Sequence, residues 1–148
     1  MKEKLLISAC FLETGYKYDG TDNKLACIDK LQEKYDLVLI CPEVFGQLGT
    51  PRRPSEIKDG KVFNDMGQDV TANFISGSKL SLEKAIDAGC KKALLKAKSP
   101  SCGYKIIYDG SFKHIKKEGN GIFTTMLLEN GFEIFTEDEI EVLLNDHQ

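Results

Sequence analysis

Histidine is nearly missing from this sequence of 148 residues. Only His114, in a lysine-rich stretch, and His147, near the C-terminal end, occur. Both are isolated, so neither suggests a catalytic triad or a zinc site. No Cys-x-x-Cys pair is present, which argues against a zinc ribbon or a thioredoxin-type motif. No apolar stretch is long enough to span a bilayer. The start, Met1-Lys2-Glu3-Lys4, leads into a short apolar run that reads as a first strand rather than a signal peptide. Internal repeats and low-complexity segments are lacking. So is an excess of positive charge: the formal net charge is −3, against the basic balance of a general nucleic-acid binder.

What is present describes an ordinary globular domain. The hydrophobic fraction is 41% and the charged fraction 29%. The length predicts one domain, residues 1–148, with room for a full core. Charge is unevenly spread. Lys91 to Lys117 holds eight lysines and one acid, Asp109. Glu129 to Gln148 holds seven acids and no Lys or Arg. The acidic end reads as a solvated helix face. The basic stretch reads as plain surface, or as a field steering an anionic substrate.

Strand and helix signals alternate along the chain. Strands are predicted at about Lys4–Ala9, Leu37–Ile40, Ala93–Ala97, Lys105–Tyr108 and Phe132–Phe135. A helix capped by Thr21 or Asp22 runs to about Tyr35, and another covers Asp69–Ala88 with a break expected near Gly77. Pro42 to Pro54 reads as an irregular functional loop, and Glu56–Phe63 as a hairpin. Gly119-Asn120-Gly121 leads into a helix stopped by Asn130-Gly131, either as a tight turn or as an anion-binding helix start. Thr136 and Glu139 form a capping-box pattern before a short final helix. The alternation implies an α/β fold, a mostly parallel sheet with helices on both faces.

Three of the five cysteines share one context. Cys10 follows Leu5-Leu6-Ile7-Ser8-Ala9, Cys41 follows Leu37-Val38-Leu39-Ile40, and Cys102 follows the run from Ala93 through the turn Ser99-Pro100-Ser101. In a parallel sheet all three thiols emerge at one edge, where open α/β sheets bind ligands. Three thiolates there can hold a metal or an iron–sulfur cluster with one position open. Cys27, in a helix, and Cys90, after Ala88-Gly89, read as packing residues. Five cysteines without an export signal predict a reducing compartment, the cytoplasm.

An ordered set of motifs adds to this reading. Ser8-Ala9-Cys10, Tyr18-Asp19-Gly20, Cys41-Pro42-Glu43-Val44, Thr50-Pro51-Arg52-Arg53-Pro54-Ser55-Glu56-Ile57, Asp69-Val70-Thr71, Ser99-Pro100-Ser101-Cys102-Gly103 and Tyr108-Asp109-Gly110 occur in sequence. Together they resemble a bacterial family long labelled as of unknown function, which includes the thiouracil desulfidases. The resemblance covers nearly the whole chain. It implies a single Rossmann-like three-layer domain with an oxygen-sensitive [4Fe–4S] cluster on Cys10, Cys41 and Cys102. It also implies removal of sulfur from a thiolated pyrimidine, giving uracil and hydrosulfide. Many members carry a further Cys before the basic-Tyr-Asp-Gly motif, where this chain has Gly15. The departure favours three ligands.

Within that frame Glu43, two residues after a ligand, is the candidate for proton transfer. Ser101, one residue before a ligand, is a candidate for binding the base ring or the attacking water. Its alternative use is a turn hydroxyl bonded to nearby backbone. Arg52, in a proline-stiffened loop, and Asp19, in the Tyr-Asp-Gly turn, are candidates for substrate binding; each also has a structural reading. Rival readings are a non-enzymatic cluster-binding sensor and a module recognising thiolated RNA. The expected partner is a small thiolated pyrimidine, with no membrane and no sequence-specific nucleic acid, and a monomer is favoured.

Overall fold

The computed structural model describes residues 2–8, 28–46, 54–96, 100–113 and 115–145. Four parallel strands form its central sheet: β1 (Glu3–Ser8), β2 (Tyr35–Ile40), β5 (Lys92–Leu95) and β8 (Glu133–Thr136), in the order β2-β1-β5-β8. Their apolar residues alternate between two cores. Leu6, Ile40, Ala93, Leu95 and Ile134 face one layer, with Ala85, Phe123 and Leu127. Leu5, Ile7, Tyr35 and Leu94 face the other, with Leu31 and Leu143. A strand buried on both faces reads as a continuous apolar run, and Leu5-Leu6-Ile7 is one.

The first layer is α3 (Thr71–Ala88) and α4 (Ile122–Glu129); the second is α1 (Ile28–Lys34) and α5 (Ile140–Leu144). The Tyr35 hydroxyl donates to the Leu143 carbonyl at 2.9 Å and ties α5 to β2. The expected capping box is present, with Thr136 and Glu139 bonded reciprocally around a 3-10 turn, Glu137–Glu139. Gly89 (φ 82°) ends α3 in the left-handed conformation that glycine adopts without strain.

Two antiparallel pairs stand beside the main sheet. The expected hairpin is β3 (Ser55–Lys58) with β4 (Lys61–Asn64); the other is β6 (Ile106–Tyr108) with β7 (Lys116–Glu118). Ile57, Val62, Phe74 and Ile107 form a third, smaller core that joins the hairpins to α3.

Two expectations are corrected and one strand is added. The helix is unbroken at Gly77, because that residue is buried against α2 (Pro42–Phe45) rather than exposed to water. Pro42–Phe45 is one turn of α-helix rather than irregular loop: proline lacks an N–H that the first helical position does not need. Strand β7 was not expected, since Lys116-Lys117-Glu118 is exposed throughout and shows no apolar alternation. Of the basic stretch, Lys92 pairs with Glu3 at 3.4 Å and Lys96 with Glu137 at 2.8 Å.

Candidate functional site

Because β1, β2 and β5 are parallel, their C-terminal ends share one edge of the sheet. The next sheet strand after β1 is β2, on one side; the next after β5 is β8, on the other. The gap between the ends of β1 and β5 is therefore a topological switch point. In sequence, Cys10 lies just past β1, Cys41 directly follows β2, and Cys102 lies in the loop after β5. Cys10, Asp19, Arg52 and Cys27 fall outside the described residues, as does the side chain of Glu43.

The Cys41 segment is a wound turn. The Cys41 carbonyl accepts the Phe45 N–H at 2.9 Å, and the Pro42 carbonyl accepts the Gly46 N–H at 2.8 Å. Glu43 is therefore on α2, one residue into the turn that starts after Cys41. Helix α3 holds this segment from two directions. Asn73 Nδ2 donates to the Gly46 carbonyl at 2.8 Å. Lys84 Nζ donates to the Leu39 carbonyl at 2.6 Å and lies 5.6 Å from the centre of the Phe45 ring. Asn73 and Lys84 escaped the sequence reading because α2 itself was not expected. An Asn and a Lys eleven positions apart on one helix give no signal without it.

The Cys102 loop is docked on the start of α4. Gly121 N–H donates to the Gly103 carbonyl at 2.8 Å, and Ile122 N–H to the Pro100 carbonyl at 2.9 Å. The Ser101 carbonyl accepts from Phe123 at 2.9 Å and Thr124 at 3.2 Å. These are the N–H groups that a helix start leaves without internal partners. They are spent on the cysteine loop, so the anion-binding reading of Gly119-Asn120-Gly121 does not apply. The tight-turn reading does not either: the three residues form no turn, and Gly121 is extended at φ −66°, ψ 165°. Cys102 is 4% exposed and Ser101 2%. The Ser101 hydroxyl donates to Cys102 Sγ at 3.7 Å, a contact that neither sequence-based role for Ser101 included.

Cys41, Cys90 and Cys102 take part in no disulfide. Cys90 lies between Gly89 and β5, at the opposite end of that strand from Cys102. Its thiol is pushed above the ordinary value of 9.0 by burial, with the charge of Lys4 acting weakly the other way. That is the behaviour of an inert packing residue. Asp109, in the second Tyr-Asp-Gly motif, accepts the Ser111 N–H at 2.9 Å. Hydrogen bonds from Ser111 are the main cause that holds its carboxyl below the usual range.

The donor set suits a sulfur-ligated cofactor. Two thiols stand on loops fixed by main-chain hydrogen bonds at the sheet edge, and thiolates are the ligands of iron–sulfur clusters. Among the described residues no three His, Cys, Asp or Glu side chains are grouped to hold a metal ion. Beside Cys41 and Cys102, Cys10 has the sequence position of a candidate third donor.

Comparison with known proteins gives the family. A family model described as 2-thiouracil desulfurase matches residues 5–139. The protein YbbK of Bacillus subtilis (strain 168), itself described as uncharacterized, is 31% identical over 150 residues, covering 95% of this chain and 99% of its own. A solved structure described as the [4Fe-4S]-dependent thiouracil desulfidase TudS matches with a TM-score of 0.90 and 39% identity, over 96% of this chain and 95% of that one. With a family model spanning nearly its whole length, the chain belongs to the 2-thiouracil desulfurase family.

Proposed function

We propose that this protein is a [4Fe–4S]-dependent desulfidase that converts a thiolated pyrimidine such as thiouracil, with water, into uracil and hydrosulfide. The observation that carries the reading is the placement of cysteines at the ends of parallel strands beside the switch point, in a chain similar over 96% of its length to an iron–sulfur thiouracil desulfidase. Cys10, Cys41 and Cys102 would hold the cluster. Bound by three thiolates, it would supply an iron with an open position, a Lewis acid soft enough for a thiocarbonyl sulfur.

The remaining work falls to the chain. Glu43, at the start of α2, takes the proton of the water that replaces the sulfur. Ser101 keeps the Cys102 sulfur oriented through its hydroxyl and stands beside the ligand where a pyrimidine edge is to be recognised. Arg52 and Asp19 bind the substrate from the segments that precede β3 and α1. The carbon–sulfur bond breaks, a carbon–oxygen bond forms, and sulfur leaves as hydrosulfide, with no net change of oxidation state. Among the described residues no helix is long and apolar enough to cross a membrane. A cytoplasmic location suits thiols that must stay reduced.

The test is anaerobic cluster reconstitution followed by hydrosulfide detection with thiouracil. Hydrosulfide and uracil in equal amounts are expected. A full cluster with no hydrosulfide would favour the sensor reading instead.

A further inference from the structure

Two glycines lie directly beneath the two described cysteine loops. Gly77 is buried midway along α3. A Cβ there would stand 2.6 Å from Gly46 N and 2.8 Å from the Pro42 carbonyl carbon, and would overlap the Pro42 oxygen. Gly121 precedes the first turn of α4. A Cβ there would stand 2.5 Å from the Ser101 carbonyl carbon and 2.9 Å from the Cys102 nitrogen. These neighbours are backbone atoms, so no side-chain rotation relieves the overlap and the loop itself must move.

Neither glycine is required by its dihedral angles. Gly121 has φ −66° and ψ 165°, an extended conformation open to any residue. Gly77 continues an α-helix in which alanine would be favoured by about 1 kcal/mol. What both positions supply is closeness. Gly60, Gly67, Gly89 and Gly131 are the opposite case: each has positive φ and nothing within 4 Å of an added Cβ. Helices α3 and α4 also pack on each other, so both cysteine loops are seated on one helical pair.

We propose that Gly77 and Gly121 are positioning residues for the cofactor ligands. Their missing side chains let the Cys41 and Cys102 loops sit on α3 and α4, and that local seating is what an alanine removes. The proposal rests on the reading of Cys41 and Cys102 as cluster ligands.

The experiment uses the full chain without cofactor, reduced and anaerobic, as wild type, Gly77→Ala and Gly121→Ala. Each is pulsed with a neutral alkylating agent, and every cysteine is read separately by peptide mass spectrometry. Cys90, 6% exposed, is the internal reference for global opening. Gly121→Ala is expected to speed labelling of Cys102 about tenfold relative to Cys90, as local opening does. Gly77→Ala is expected to do the same for Cys41. After reconstitution both variants are expected to hold less iron and to show a changed cluster EPR spectrum. Unchanged labelling would overturn the proposal. So would equal acceleration at Cys90, or loss of the far-UV spectrum, since either makes the glycines packing residues of the whole fold. A wild-type chain that takes up no iron would tell against the desulfidase reading alone, because labelling needs no cluster.

Discussion

The Glu56 carboxylate accepts the main-chain N–H of Phe112 at 3.2 Å, and the same oxygen accepts that of Gly110 at 3.0 Å. Phe112 has φ 59°, uncommon for a bulky residue, and Gly110 has φ 94°. One carboxylate on β3 thus holds a bent loop between β6 and β7. Glu56→Ala is expected to lower the stability of the cofactor-free chain by about 1–3 kcal/mol, the usual cost of two stranded donors. Glu56→Gln keeps an acceptor oxygen and should lose less than about 1 kcal/mol. Urea unfolding of the two variants decides; a Gln as costly as Ala would show that charge, not acceptor geometry, holds the loop.

Cys41→Ala and Cys102→Ala should each lose most iron and labile sulfide, because two thiolates do not hold a cluster securely. Cys90→Ala should keep both, at a stability cost of about 1 kcal/mol from lost packing. Iron and sulfide per chain, measured side by side, check the assignment. Equal cluster content in Cys90→Ala and Cys102→Ala would remove Cys102 from the ligand set.

Glu43→Gln should retain the brown chromophore and lose about 10²–10⁴-fold in desulfidation rate. Gln keeps the size of Glu and cannot take a proton at neutral pH. Near-normal turnover with a full cluster would leave Glu43 as a residue of the α2 turn and nothing more.

Cys90 also sets a pH dependence. Burial raises its folded-state pKa above the ordinary 9.0. The protonated thiol is therefore favoured by folding. Its contribution is fully present below about pH 9 and is lost as pH rises through the folded pKa. Melting temperatures of the cofactor-free chain should fall more steeply above pH 9 in wild type than in Cys90→Ala. Parallel curves would show that this thiol titrates alike in both states.

The sheet was legible because its strands are apolar on both faces, as Leu5-Leu6-Ile7 and Ala93-Leu94-Leu95 show. Strand β7 was not, since Lys116 to Glu118 turn no apolar side toward a core. At Gly77 helix propensity pointed to a break, and burial against α2 decided otherwise. Of the candidate site, the positions of Cys41 directly after β2 and of Cys102 in the loop after β5 could be read from their strand context. Their supports could not: the bonds from α4 to Pro100, Ser101 and Gly103 join backbone to backbone, and main-chain donors leave no mark in a sequence. Lys84 is legible only once its reach to Leu39 is known.

That reach matters beyond the loop it steadies. Among the described residues β2 borders the sheet, with a neighbour on one side only. An open border strand is a template on which another molecule can add a strand and start a fibre. Here the Leu39 carbonyl already accepts the Lys84 ammonium at 2.6 Å. An arriving strand would have to displace a charged side chain and strand it beside its own backbone. One acceptor of the strand that leads into Cys41 is thus already taken by the fold's own lysine, which makes that strand a poorer template for edge-to-edge pairing.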